Sequence, residues 1–129
     1  MTFEEDVLPV ALVVDDTLDN RRLFRIALET AGYQVMDAHN GQRAHEMLIE
    51  QPYHLMLLDL DMPVLNGRDL LKRLKEYPEQ RPNHIIVATA NTQMATEMVV
   101  EMADYIIYKP FTIPELVTMA KRLRTVNGD

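Results

Sequence analysis

The chain has no cysteine, which excludes disulfides, thiolate metal sites and cysteine nucleophiles. No apolar run approaches the roughly 18 residues needed to span a bilayer. The stretch from Met1 to Asp6 lacks the basic-then-apolar pattern of a signal peptide. The expected location is therefore the cytoplasm, with no membrane partner. Basic charge is scarce: 13 Lys and Arg against 20 Asp and Glu leave a formal net charge of −7. That balance argues against direct nucleic-acid binding, which needs clustered Lys and Arg. The basic residues occur in short groups, Arg21-Arg22, Lys72-Arg73 and Lys121-Arg122, each expected on the wet face of a helix. His39, His45, His54 and His84 have no metal-ligand spacing and read as surface or strand-end residues, and the methionines read as core filler.

What the chain does have is alternation. Its 129 residues, 47% hydrophobic and 26% charged, suit one ordinary globular domain over 1–129. Short apolar runs at 9–14, 33–38, 54–58, 84–88 and 105–108 read as strands. Between them lie amphipathic stretches. Leu23, Phe24, Ala27, Leu28 and Ala31 recur at helical spacing over 17–31, with Gly32 as the stop. Asn40-Gly41 opens a second helix carrying Ala44, Met47 and Leu48 inward until Pro52. Leu70, Leu71 and Leu74 mark a third that Tyr77-Pro78 ends, and Ala95, Met98, Val99 and Met102 a fourth. Thr112-Ile113-Pro114-Glu115 is a capping box announcing a fifth, with Ile113, Leu116, Val117 and Ala120 as its inner stripe. Five such units with nearly continuous apolar strands predict an α/β fold: a doubly wound, flavodoxin-like parallel sheet of order 2-1-3-4-5 with five helices. The chain stops just after the last helix, so no output domain is expected in it.

The polar residues fall at one edge of that frame. Asp15 and Asp16 follow strand one, Asp59 strand three, Thr89 strand four and Lys109 strand five. In open α/β sheets this carboxyl edge carries the chemistry. Two carboxylates about 4 Å apart repel by ~4 kcal/mol at an effective dielectric of about 20. Either one acid stays protonated, or a divalent cation and the Lys109 ammonium neutralise the group. Oxygen-only donors in a half-open site suit Mg²⁺. One carboxylate could then attack phosphorus and become an acyl phosphate, with Asp59 the best candidate and the Thr89 hydroxyl a further donor to the phosphoryl group.

Val13-Val14-Asp15-Asp16, Leu57-Leu58-Asp59-Leu60-Asp61-Met62-Pro63 with Gly67, Ala88-Thr89-Ala90 and Lys109-Pro110-Phe111 together resemble the receiver domain of bacterial two-component response regulators. The resemblance covers essentially the whole chain. It implies that Asp59 accepts a phosphoryl group from a histidine kinase or a histidine phosphotransfer protein. It also implies that Asp16, Asp59 and the backbone carbonyl of Asp61 ligate Mg²⁺ directly, with Asp15 acting through a water. Thr89 and Lys109 would read the phosphoryl group and relay it to the face of helix four, strand five and helix five, where a downstream protein binds. Asp61 and Asn91 would tune hydrolysis of the acyl phosphate. The chain would thus be a signalling phosphoacceptor rather than an enzyme in the ordinary sense. Two features depart from the family. Ile106 stands where an aromatic residue usually turns inward with the threonine. The stretch from Thr89 to Lys109 is slightly short, with Met102 where glycine is common. The phosphorylation chemistry is expected to survive both changes, and the output face to switch differently or only weakly.

Two rival readings use the same residues. Asp59 and Asp61 resemble the nucleophile and general acid of haloacid-dehalogenase-type phosphatases, although Met62-Pro63 is the wrong continuation and little chain remains for a cap. A degenerate receiver acting as a phosphorylation-independent interaction module is the other, and Ile106 is the residue that favours it.

Overall fold

The computed structural model describes residues 7–126. Five strands, β1 (Val10–Val14), β2 (Gln34–Ala38), β3 (Leu55–Leu58), β4 (His84–Thr89) and β5 (Tyr105–Tyr108), alternate with five helices, α1 (Leu18–Thr30), α2 (Gly41–Glu50), α3 (Gly67–Glu76), α4 (Glu97–Met102) and α5 (Ile113–Val126). Every pairing is parallel and the order is β2-β1-β3-β4-β5, as the apolar runs predict. Each central strand is covered on both faces, so its side chains need not alternate with polar ones. Leu55, Met56, Leu57 and Leu58 are all at most 1% exposed.

One face of the sheet, with Leu12, Met56, Leu58 and Ile85, packs on α2, α3 and Val99 of α4. The other, with Ala11, Val13, Leu57 and Ile86, packs on α1 and α5 through Phe24, Leu28, Leu116 and Ala120. Each fully buried leucine contributes about 1.5–3 kcal/mol of transfer free energy. The methionines outside the first residue serve this packing: Met47, Met56 and Met62 are buried, and Met36, Met94, Met98, Met102 and Met119 pack against the two clusters.

Local chemistry sets the helix ends. Asn40 and Asn66 cap α2 and α3, each accepting from a backbone N–H three residues on at 2.8 Å. Gly32 adopts φ 99° just past α1, a left-handed conformation that glycine takes without strain. The capping box before α5 is present: Glu115 N donates to Thr112 Oγ1 at 3.3 Å.

Several expectations are corrected. Leu23 is 46% exposed rather than inward, because α1 is gripped along Phe24, Ala27 and Leu28, and Leu23 lies to one side of that stripe. The fourth helix is one and a half turns long: Ala95 ends a preceding 3-10 turn, Thr92–Met94, and lies outside α4. A second 3-10 turn, Pro78–Gln80, follows α3. Thr89 closes β4 instead of following it. Arg21 does not lie on a wet face. Its side chain is 15% exposed, pairs with Asp37 at 3.2 Å and donates to the Asp15 carbonyl at 2.8 Å. No helix among the described residues is long and apolar enough to cross a membrane.

Candidate functional site

The sheet's hydrogen bonding runs one residue past each central strand and so fixes the rim. Asp59 N donates to the Val14 carbonyl at 2.9 Å, Asp15 N to Ala38 at 3.2 Å, and Lys109 N to Thr89 at 3.0 Å. Asp15 and Asp59 are therefore held by backbone on neighbouring strands. Asp15, Asp16 and Asp59 each offer a carboxylate oxygen, and these oxygens lie within 4.8 Å of one another. Asp15 and Asp59 are buried, at 1% and 7% exposure, while Asp16 is exposed. The group thus has a closed side and an open side.

Lys109 enters from the β5 end. Its Nζ donates to Asp15 Oδ2 at 3.0 Å and lies 3.6 Å from Asp59 Oδ2. Asp15 is further held by Thr17 N at 2.9 Å and faces the Asn20 amide at 3.4 Å from both of its oxygens. Asp59 has fewer partners: among the described residues, only the Asp61 N–H at 3.3 Å donates to it besides the contact with Lys109. Burial pushes the Asp59 carboxyl up to about 6. The Lys109 ammonium pulls against that rise, Asp15 adds to it, the Asp61 N–H opposes it and Asp16 adds to it. The carboxylate is thus short of positive charge, which is the condition that favours binding a cation.

Thr89 is fully buried, and its Oγ1 accepts from Asn91 N at 3.0 Å, leaving its hydroxyl proton free to donate. Asn91 itself caps the Thr92–Met94 turn, its side chain accepting from Gln93 N at 3.1 Å. Asp61 is exposed and joins the site through its backbone. Ile106 is half-buried and packs on the face shared with Met94, Met98 and Met102.

Asp15, Asp16, Asp59 and Lys109 thus converge. Thr89 borders them from β4, and Asn91 has its side chain turned to its own turn. Sequence reasoning missed three supporting residues, Asn20, Arg21 and Phe24, and named a fourth, Gly67, only within the motif. Asn20 and Arg21 lie on the first turn of α1, where they reach back to Asp15. Phe24 lies below Lys109, its ring centroid 5.9 Å from Nζ. Gly67 lets α3 begin directly against the strand: a Cβ there would collide with the Asp59 carbonyl oxygen and Leu60 Cα. Asn20 and Arg21 carried no signal beyond helical proximity to Asp15.

Residues 11–121 match the profile of the response regulator receiver domain. The chain is 35% identical over 122 residues to the phosphate regulon transcriptional regulatory protein PhoB of Pseudomonas aeruginosa, covering 92% of this chain and 53% of that protein. It is 35% identical over 112 residues to the transcriptional regulatory protein SrrA of Staphylococcus aureus, covering 87% and 46%. The chain spans about half the length of these relatives. Among solved structures, the response regulator TrrA of Thermotoga maritima, in complex with Mg²⁺ and BeF, superposes with a TM-score of 0.79 at 28% identity, covering 90% of this chain and 99% of that one. The receiver domain of a signal transduction histidine kinase from Syntrophus aciditrophicus gives 0.81 at 28%, covering 93% and 92%.

Proposed function

Because the chain belongs to the response regulator receiver family, we propose that it is a phosphoacceptor of two-component signalling in which Asp59 takes a phosphoryl group from a phosphohistidine donor. The donor is a histidine kinase or a histidine phosphotransfer protein. The observation that carries the reading is a buried carboxylate, Asp59, set between an acidic pair and an ammonium at one sheet edge.

A ligand set of hard oxygen donors with excess negative charge fits Mg²⁺. Asp16, Asp59 and the Asp61 carbonyl would hold it directly and Asp15 through a water; bound there, it offsets the carboxylates and draws charge from phosphoryl oxygens. In transfer, an Asp59 carboxylate oxygen forms a bond to phosphorus as the donor's P–N bond breaks. The electron pair leaves with the imidazole, which regains a proton from water. Lys109 holds one phosphoryl oxygen and the Thr89 hydroxyl donates to another, so charge is neutralised where it accumulates. Hydrolysis removes the phosphoryl group: water attacks phosphorus, the Asp59 carboxylate departs and inorganic phosphate is released. Asp61 and Asn91, two positions beyond Asp59 and Thr89, are the residues proposed to tune how readily that water attacks.

The surface of α4, β5 and α5 is the proposed docking site for a downstream protein, and the domain itself binds neither nucleic acid nor membrane. A cytoplasmic location and a single receiver unit over the chain belong to the same proposal. A second reading, a phosphorylation-independent interaction module, is favoured by one observation: Ile106 and the short α4 replace the parts of the usual aromatic switch. Amide exchange across 92–121 with and without Mg²⁺-beryllofluoride separates the two. Altered exchange supports a switching receiver, and unaltered exchange with a phosphorylatable Asp59 supports the module. For the chemistry, transfer of label from a phosphohistidine protein to the peptide containing Asp59, released by hydroxylamine, is expected; label elsewhere, or none, overturns the assignment.

A further inference from the structure

Lys109 has a flexible four-carbon stem, and its side chain is 22% exposed. Its ammonium lies nearer to Asp15 than to Asp59. Ion pairing alone would let it settle on Asp15 or swing to water, yet reading a phosphoryl group on Asp59 requires it to stay between them. What lies beneath it is an aromatic face. Nζ is 5.9 Å from the Phe24 ring centroid. That ring is buried, at 5% exposure, and stacks on Phe111 with centroids 5.5 Å apart and planes 21° from parallel. Phe24 comes from α1, whose first turn also carries Asn20 toward Asp15, and Phe111 lies two residues beyond Lys109. The stack therefore ties the loop bearing the ammonium to the helix that supports the acidic pair. A cleft of about 250 Å³ lined by Leu23, Phe24, Phe111 and Ile113 runs beside Lys109, and the Phe24 ring is the wall of it that the ammonium lies over. An aliphatic residue at position 24 could bury apolar surface there but would offer the ammonium no π-face. Only a π-face attracts a cation placed over it.

We propose that Phe24 is a positioning residue for phosphoryl transfer: locked by its stack on Phe111, its ring holds the Lys109 ammonium between Asp15 and Asp59. This rests on the reading of Asp59 as the phosphoacceptor.

The test compares wild type, Phe24→Leu, Phe24→Tyr, Phe111→Leu, Lys109→Gln and the Phe24→Leu/Lys109→Gln double variant, using phosphoramidate and Mg²⁺ as the donor system. Phe24→Leu is expected to slow phosphorylation about two- to five-fold, the range to which a cation–π contact at a partly exposed site corresponds. Phe24→Tyr restores the rate, Phe111→Leu gives a smaller slowing, and Phe24→Leu adds nothing in the Lys109→Gln background. In unphosphorylated protein, the ring current shifts the Lys109 ε-methylene proton signals upfield, and they move back in Phe24→Leu and partway in Phe111→Leu. Equal slowing by Phe24→Leu in both backgrounds, or Lys109 signals unmoved by either phenylalanine substitution, overturns the proposal. A wild type that takes no phosphoryl group overturns the phosphoacceptor reading and this proposal with it. A wild type that does, beside a Phe24→Leu variant of equal rate, overturns this proposal alone.

Discussion

Lys109 Nζ stands 3.0 Å from Asp15 Oδ2, the shortest ion pair among the described residues, across 94 positions of sequence. This pair leaves Asp59 only the longer 3.6 Å contact with the same ammonium. The carboxylate proposed to react is consequently the under-compensated one, and the first two predictions below follow from that imbalance.

Without divalent cations, Asp59 destabilises the folded state at neutral pH. Its carboxyl is raised from 3.8 to about 6, so the folded chain binds that proton more tightly than the unfolded chain. The resulting stabilisation is complete below 3.8 and is lost as pH rises through about 6. Asp59→Asn should therefore melt higher than wild type at pH 7, by about 2 kcal/mol of stability once solvent screening of this partly solvated group is discounted from the full shift, and converge with it near pH 4. Denaturant titrations at the two pH values check this, and a variant no more stable than wild type at pH 7 contradicts it.

Mg²⁺ should reverse that ranking. A ligand that binds only the folded state stabilises it by about 2.7 kcal/mol at one hundred times its dissociation constant. Thermal melts with and without Mg²⁺ are expected to show a rise in wild type that is largely lost in Asp16→Asn and Asp59→Asn. An equal rise in all three would place the ion elsewhere.

Gly67→Ala should destabilise the chain by about 3 kcal/mol, because the added methyl meets backbone rather than a side chain that can turn aside. The urea midpoint reads this directly. A wild-type midpoint would mean that α3 can retreat from β3 without loss.

Val64 is β-branched, 79% exposed and at φ 72°, a left-handed conformation that such residues rarely adopt. Leu65 N donates to the Pro63 carbonyl at 3.0 Å, which makes Val64 the centre of a γ-turn of the strained, positive-φ kind. Val64→Gly is expected to raise stability by about 1 kcal/mol through relief of that strain, with no change in phosphorylation rate. A lower melting temperature would contradict the strain assignment.

Much of this was legible in the sequence because the strands are buried on both faces. An uninterrupted apolar run such as Leu55–Leu58 has one reading, and the acid that follows it must lie at the rim. Asp15, Asp16, Asp59 and Lys109 were placed by that logic, and the geometry brings them together. Amphipathic helices are less determinate. Leu23 shares the apolar periodicity of α1 yet lies outside the contact stripe, since periodicity does not say where a helix is gripped. The start of α4 was misjudged because Asn91 caps a 3-10 turn and delays the helix to Glu97. Phe24 was invisible as a site residue for another reason: its partner, Lys109, is distant in sequence, and only the folded chain makes them neighbours.

The central claim is that Asp59 accepts a phosphoryl group, and intact-mass measurement after incubation with a small phosphodonor tests it most directly. The account predicts a single added phosphoryl group that requires Mg²⁺ and is absent from Asp59→Asn. An unmodified wild type, or an adduct that persists in Asp59→Asn, would contradict it.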